Sequence, residues 1–301
     1  MGASVNRWIK LIAGTFMLLF LGLLYAWSIF NAPFKSVYES WTVSQLSMTF
    51  TISMIFFCLS AFVAGNLAKK ISTQNILRIA AVMLFVGFFG VSMLNPEDSA
   101  TSLILLYILY GFLCGSGVGM GYNAIISTVN KSFADRAGLA SGVMLLGFGL
   151  GGIVLGGTVG SVIEKIGLFP TFRILGILIA VVLFVGSILI TPPPVEPGKT
   201  VEQKKPDDFG YTASEMIREK SFWIFVVWTI LLNSASLLVI NSAATIAVSF
   251  GIPAVLGLIV SLFNGIGRVI HGAFFDRFKK KKSTLLNTSF ALCAGILLTL
   301  G

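Results

Sequence analysis

The stretch NGIGRVIHGAFFDRFKKKK, from Asn264 to Lys282, closes an apolar run that begins near Ile252. Arg268 lies inside that run, eight residues before Asp276, which corresponds to roughly 12 Å of helix. A charge at the centre of a membrane helix costs about 3 kcal/mol on insertion scales. A long side chain can reach the membrane surface over only part of this distance. We therefore expect Arg268 to face a protein interior or a watery cavity.

One face of this predicted helix is polar. Ser261, Asn264 and His271 lie seven and four residues before Arg268 and three residues after it, which places them on its face. Charges inside membrane spans usually mark substrate or ion pathways, so we favour an anion-binding role for Arg268. The alternative is a structural arginine that is hydrogen-bonded to backbone carbonyls of a neighbouring helix.

The composition indicates an integral membrane protein. Of the 301 residues, 56% are hydrophobic and only 11% are charged, whereas about a quarter of the residues in a soluble domain are charged. The apolar runs are long and continuous, which is typical of membrane helices and not of the alternating strands of a barrel. We expect an all-α, polytopic membrane protein.

Apolar runs predict nine spans along the chain. They cover residues 11–31, 43–68, 76–94, 102–128, 139–163, 172–190, 222–250 and 252–275, and the last begins near 284. Residues 191–220 are rich in proline and charge, so they form a central loop, with a short surface helix from Ser214 onward. The chain thus divides into an N-terminal six-helix half (1–190), a central loop (191–220) and a partial C-terminal half (221–301).

The basic residues predict the orientation. Loops on the N-terminal side of the membrane hold 17 lysines and arginines, and loops on the other side hold three. The positive-inside rule then places the N-terminus and the central loop in the cytoplasm, in a plasma membrane of bacterial type. Because this asymmetry accounts for the net charge of +9, we expect membrane lipid and no nucleic acid as a partner.

Two similar segments indicate an internal repeat. GNLAKKISTQNILR follows the second span from Gly65, and GAFFDRFKKKKSTLL follows the eighth span from Gly272. Tandem halves of this kind are typical of secondary transporters. On that pattern, three more spans are expected after Gly301.

The second copy resembles the signature loop of the major facilitator superfamily, which has a glycine, three residues, Asp-Arg and a basic cluster. Gly272, Asp276 and Arg277 match that pattern, whereas Lys69 replaces the acid in the first copy. The resemblance implies that these three residues help to gate helix movement. It also implies a helical bundle whose first six-helix half is complete and whose second half is cut after about three helices.

Six stretches narrow the resemblance to the oxalate:formate antiporter family. They are LGLLYAWSIFNAPF, WTVSQLSMTFT, GSGVGMGYNAIIS, DRAGLASGVMLLGFGLGG, YTASEMIREKSFW and NGIGR. In such transporters aromatic residues surround a small carboxylate, so the resemblance implies roles for Tyr25, Trp41 and Tyr122, with Gln45 one turn after Trp41. Trp41 also fits an aromatic belt at the membrane interface. The candidate substrate site therefore comprises Arg268, Tyr122, Tyr25, Trp41, Gln45 and Asn264.

The sequence contains no catalytic constellation. The spans hold no paired carboxylates and no HExxH motif, and the three cysteines lie in apolar spans without disulfide or metal-ligand spacing. We expect no enzymatic activity, no metal and no cofactor, and a monomeric protein in lipid.

These features favour a secondary active transporter that moves a small organic anion by alternating access, and exchange would follow if the empty, charged cavity reorients poorly. A proton-coupled carrier of the lactate or pyruvate type, or an inactive incomplete fragment, is the alternative. A channel would instead show uptake that does not saturate. The sequence leaves open which anion is carried and how transport is coupled.

The orientation can be tested in the central loop. A cysteine introduced at Gly198 should react with a membrane-impermeant thiol reagent only from the cytoplasmic side, because the loop lies there if the basic residues do. Labelling in intact cells and in inside-out vesicles measures this, and reaction from the outside would contradict the topology.

Overall fold

The computed structural model of the protein describes residues 6–193, 213–251 and 258–300. Much of the central loop, including position 198, and the first residues of the predicted eighth span lie outside the described residues. Within the described part of the chain every regular element is helical.

The helices follow the predicted spans closely. In chain order they are α1 (Arg7–Leu21), α2 (Trp27–Val37), α3 (Val43–Leu67), α4 (Thr73–Val91), α5 (Ser99–Leu106), α6 (Gly115–Ser132), α7 (Ala137–Ile166), α8 (Leu168–Leu189), α9 (Ala213–Arg218), α10 (Lys220–Ser249) and α11 (Leu258–Leu300). A 3₁₀ turn (Gly22–Ala26) joins α1 to α2, and a π-helical segment (Tyr107–Cys114) joins α5 to α6.

Six segments are long and apolar enough to cross a membrane. They are Arg7–Ala26, Val43–Leu67, Thr73–Val91, Ser99–Ser132, Ala137–Ile166 and Leu168–Leu189. These segments coincide with the first six predicted spans and confirm the all-α, polytopic class. The short helix α9 lies where the surface helix was expected.

Helix α11 differs from the prediction, because we expected one span to end near Phe275 and another to begin near Thr284. The structure has one helix of 43 residues, which at 1.5 Å per residue is about 65 Å long, roughly twice the hydrocarbon thickness of a bilayer. The sequence from Ala273 to Ala294 contains no glycine or proline, and lysine is a good helix former. The basic residues that suggested a boundary therefore lie in a stretch with no helix-breaking residue, and the helix continues through them.

The described contacts divide the chain into two compact units. The first comprises Met1–Pro192 and Gly265–Arg277, and the second comprises Pro193–Asn264 and Phe278–Gly301. The middle of α11 thus packs with the N-terminal helices, although in sequence it belongs to the partial C-terminal half.

The backbone of helix α7 lies close to the backbones of α1 and of the 3₁₀ turn that follows α1. A Cβ atom placed on Gly151 would lie 2.2 Å from the carbonyl oxygen of Leu19 and 2.8 Å from Cα of Gly22. Small residues allow such close approach in membranes, where helix association depends on van der Waals packing. Gly151 is therefore required by the contact between these helices.

We expect Gly151→Leu to lower the folded yield and the apparent unfolding temperature in detergent, because overpacking a close contact costs roughly 1–3 kcal/mol. Gly157 provides a matched control on the same helix, since no described atom lies within 4 Å of a Cβ placed there. Gly157→Leu should leave both measurements nearly unchanged. Equal behaviour of the two variants would contradict the packing assigned to Gly151.

Candidate functional site

Residues 265–277 of α11 run antiparallel to the N-terminal half of α7 within the first compact unit. A Cβ atom on Gly138 would lie 2.3 Å from the carbonyl oxygen of Gly272, and one on Gly142 would lie 2.5 Å from that of Arg268. One on Gly265 would lie 2.6 Å from the side chain of Leu146. We call this contact the α7–α11 seam. Its small residues bring the two backbones together over about two helical turns.

Asp276 caps the N-terminus of α7. Its Oδ1 accepts a hydrogen bond from the backbone N–H of Gly138 at 2.8 Å, and its Oδ2 accepts one from Leu139 at 2.7 Å. The first N–H groups of a helix lack partners within the helix, and a carboxylate there also interacts favourably with the helix dipole. Arg136, the N-cap residue of α7, makes no capping bond through its side chain. The cap of α7 is therefore supplied by another helix.

The structure brings Gly272 and Asp276, two of the three predicted gating residues, directly onto α7. Arg277, the third, is exposed. The sequence could indicate the loop that carries Asp276, but its partners are backbone amides and carry no residue-type signal. The only feature of the sequence that marks these amides is Gly138, which lies one turn before Gly142.

Arg268 reaches α7 at the other end of the seam. Its Nη1 donates a hydrogen bond to the carbonyl oxygen of Leu145 at 3.1 Å, and its side chain is half-buried. The backbone contact considered as a structural alternative is thus present, but it uses one of the five N–H donors of the guanidinium. In the described part of the chain, no carboxylate lies within ion-pair distance of Arg268.

Two of the predicted aromatic residues lie near this arginine. The hydroxyl groups of Tyr25 and Tyr122 are both within electrostatic range of the guanidinium and of each other. Tyr25 comes from the 3₁₀ turn after α1, and Tyr122 comes from α6. Three chain segments therefore place polar groups together inside the first unit.

The ring of Phe148, on α7, contacts the rings of Tyr25, Tyr122 and Phe57. Its ring centroid lies 5.2 Å from that of Tyr25, 5.0 Å from that of Tyr122 and 6.1 Å from that of Phe57. We refer to Arg268, Tyr25, Tyr122, Phe57 and Phe148 as the Arg268 site. The sequence analysis missed Phe148 and Phe57. The available signal for Phe148 was that it is the single aromatic residue in the glycine-rich span 139–163.

Trp41 makes contacts in a different part of the first unit. Its exposed fraction is 2%, its ring stacks on Tyr38 with centroids 3.9 Å apart, and its Nε1 donates to the carbonyl oxygen of Ser99 at 3.0 Å. A buried indole needs an acceptor for its N–H, and here the backbone provides it. These contacts support a structural role for Trp41 in the loop between α2 and α3.

Gln45 and Asn264 are also not brought to Arg268 by any described contact. The Oε1 atom of Gln45 accepts from the backbone N–H of Thr42 at 2.7 Å, which completes a capping box at the start of α3. Asn264 lies one turn before Arg268 on the same helix. Of the other residues predicted for the substrate site, the tertiary structure brings Tyr25 and Tyr122 into electrostatic interaction with Arg268.

The described residues contain no cluster of three or more His, Cys, Asp or Glu side chains that could hold a metal ion. The Arg268 site is instead a cation beside phenol hydroxyls and aromatic rings. Such a site can bind an anion by charge and hydrogen bonding and can limit its size through the surrounding rings.

Comparison with known proteins defines the class. Residues 13–301 match the family model of the Major Facilitator Superfamily, and the chain belongs to this superfamily of membrane transporters. It is 27% identical over 280 residues to the MFS-type transporter YhjX of Escherichia coli (strain K12), covering 91% of this chain and 67% of that protein. It is 28% identical over 289 residues to the oxalate:formate antiporter of Oxalobacter formigenes, covering 94% and 66%.

A shorter similarity connects the chain to monocarboxylate transporter 9 of Gallus gallus. The two are 30% identical over 131 residues, which is 42% of this chain and 26% of that protein. The chain spans about two thirds of the length of the first two relatives.

The cap on α7 yields a stability prediction. Asp276→Ala should destabilise the first unit by about 0.5–2 kcal/mol, because two N–H groups of α7 lose their acceptor. Asp276→Asn should cost less, since one acceptor remains. Thermal unfolding of the purified protein in detergent measures both.

Asp135 is the matched control, because it too is an aspartate that is followed directly by an arginine. Its Oδ1 accepts from Arg7 at 2.9 Å, but both side chains are about half exposed. Asp135→Ala should therefore change stability by at most about 1 kcal/mol. A larger loss for Asp135→Ala than for Asp276→Ala would show that the α7 cap has been misassigned.

Proposed function

We propose that this protein is a secondary active transporter of a small organic anion with a carboxylate group, and that it works by alternating access and anion exchange. The observation that carries the proposal is the half-buried Arg268, which interacts electrostatically with two tyrosine hydroxyls and has no carboxylate partner in the described part of the chain. On this proposal the protein moves its substrate across the membrane without chemical conversion.

The chemistry of arginine supports a carboxylate as the substrate. A guanidinium remains charged at physiological pH and presents N–H groups in pairs that match the two oxygens of a carboxylate. In surroundings of low polarity such a charge-assisted pair is stronger than a hydrogen bond to a neutral carbonyl. The hydroxyls of Tyr25 and Tyr122 could donate to the same anion, and Phe148 with Phe57 would restrict it to a small, flat shape.

Exchange follows from the same charge. Moving an uncompensated cation through the closed state is costly, whereas an anion bound to Arg268 offsets the charge. The loaded protein would therefore reorient faster than the empty one. Similarity to the oxalate:formate antiporter over nearly the whole chain supports this coupling. Similarity to monocarboxylate transporter 9 supports a monocarboxylate as the alternative substrate, and the alternative mechanism is uptake together with a proton.

The α7–α11 seam supplies a gate in this proposal. Asp276 and Gly272 hold α11 to the N-terminal end of α7 in the state described, and in the opposite state this contact would separate. We further propose a monomer in a plasma membrane of bacterial type, with the N-terminus in the cytoplasm, as the distribution of basic residues indicates.

Counterflow in proteoliposomes tests the function. Uptake of radiolabelled oxalate should be stimulated by oxalate or formate inside the vesicles and should depend little on a pH gradient. Uptake that follows the pH gradient without an internal anion, with lactate competing, would favour proton-coupled transport. Uptake that does not saturate would contradict a carrier of either kind.

Arg268→Gln should lower oxalate affinity by more than tenfold, because a charge-assisted hydrogen bond contributes roughly 1.5–3 kcal/mol. Arg268→Lys should recover only part of the affinity, since an ammonium cannot form the paired contact. Equilibrium binding and the shift in unfolding temperature with oxalate measure this effect. If the substrate-free protein unfolds in both variants while any folded fraction keeps its affinity, Arg268 is a structural residue and the proposal is wrong.

A further inference from the structure

Gly149 is the glycine of α7 whose missing side chain faces the Arg268 guanidinium. In the part of the chain that the structure describes, the only atom within 4 Å of a Cβ placed on Gly149 is Nη1 of Arg268, at 3.7 Å. The neighbouring glycines differ, because Cβ atoms at Gly147 and Gly151 would collide with Thr15 and with Leu19. Helix packing thus explains Gly147 and Gly151 but not Gly149.

We propose that Gly149 and the carbonyl group of Leu145 form a seat that positions the Arg268 guanidinium for anion binding. This inference rests on the proposed role of Arg268 as the anion-binding group. Leu145 and Gly149 are four residues apart and therefore lie on the same face of α7, one turn from each other. The Leu145 carbonyl accepts from Nη1, and a Cβ placed on Gly149 would already be in van der Waals contact with Nη1, so a side chain larger than alanine would compete with the guanidinium for space.

The seat determines which edge of the arginine is presented. Nη1 is the terminal nitrogen on the Cδ side of the guanidinium, so the opposite edge carries the N–H groups of Nε and Nη2. These two groups are parallel and match one carboxylate in the bidentate manner. Because one N–H of Nη1 is bonded to Leu145, the Nε–Nη2 edge is the pair of donors that Arg268 keeps wholly free for a single carboxylate group.

An arginine that is free to rotate would not present one fixed edge to the anion. Without the seat, the guanidinium could rotate about its side-chain torsions and could present either edge, so part of the binding free energy would be spent on ordering it. Gly149 therefore acts through Arg268 as a positioning residue. A larger side chain at position 149 would contact the guanidinium of Arg268. Position 149 is therefore suitable for a series of substitutions of increasing size.

The experiment is a size series at position 149 in the otherwise intact protein, with oxalate and formate as probes in equilibrium binding. Gly149→Ala should stay within about threefold of the parent, because 3.7 Å is an ordinary van der Waals distance. Gly149→Val and Gly149→Leu should weaken both probes progressively, the latter by about tenfold or more, since the guanidinium loses its seat. The two probes should weaken by the same factor, because each offers one carboxylate to Arg268.

A double-mutant comparison separates positioning from general damage. Once Arg268→Gln has removed the guanidinium, adding Gly149→Leu should change oxalate affinity by less than about threefold, because the two positions act as one unit. Gly157→Leu serves as the control of equal size on the same helix and should leave affinity unchanged. If Gly149→Leu lowers the folded yield, Gly149→Val provides the same comparison.

Three results would overturn the inference. If Gly149→Val and Gly149→Leu bind oxalate with the affinity of the parent protein, no seat is needed. If Gly149→Leu lowers oxalate affinity by the same factor with and without Arg268→Gln, Gly149 acts by a route other than Arg268. Unequal losses for oxalate and formate would contradict the single-carboxylate contact. If Arg268→Gln alone leaves affinity unchanged, the anion site itself is wrong, which distinguishes that failure from failure of the seat.

Discussion

The contact between α7 and the middle of α11 is the interaction on which the arrangement of the candidate site depends. It joins a segment far along the sequence to the N-terminal helices through backbone atoms, because glycines at positions 138, 142 and 272 remove the side chains that would keep the helices apart. Once the backbones are this close, only two polar side chains of α11 need to reach α7. Asp276 binds the start of the helix and Arg268 binds a carbonyl farther along it.

These two polar contacts differ in what they contribute to α7. Asp276 accepts from two N–H groups that have no partner within α7, so the bond satisfies a requirement of the helix itself. Leu145 lies in the interior of α7, and its carbonyl has an intrahelical donor available in addition to Arg268. The guanidinium bond is therefore the weaker constraint on the helix. In the proposed site, an anion on the free edge of Arg268 would add to the partners of the arginine and would leave the bond to Leu145 in place.

Sequence reasoning succeeded where a physical rule acts along the chain. Long apolar runs predicted the first six spans, which the structure confirms. An isolated charge in an apolar run drew attention to Arg268, whose role in anion binding stays a prediction. Sequence reasoning failed where the deciding contact is tertiary. Trp41 resembles a site aromatic in its local sequence, yet Tyr38 and Ser99 enclose it. Phe148 was missed because its importance depends on Tyr25 and Tyr122, which lie far from it in sequence. The α11 boundary was misplaced because charge indicates a membrane surface and does not by itself end a helix.

The glycines of helix α7 form one glycine-rich run in the sequence, but in the structure they make three different kinds of contact. Gly151 packs against α1, Gly138 and Gly142 pack against α11, and Gly149 leaves room for a guanidinium. Because α7 is continuous over these positions, the three contacts are fixed relative to one another by helix geometry. A movement that separates α11 from the start of α7 must therefore also change the position of Arg268 relative to Leu145 and Phe148. In the proposed transport cycle, opening of the seam and the state of the anion site would be linked by the stiffness of this helix, which is the coupling that alternating access requires.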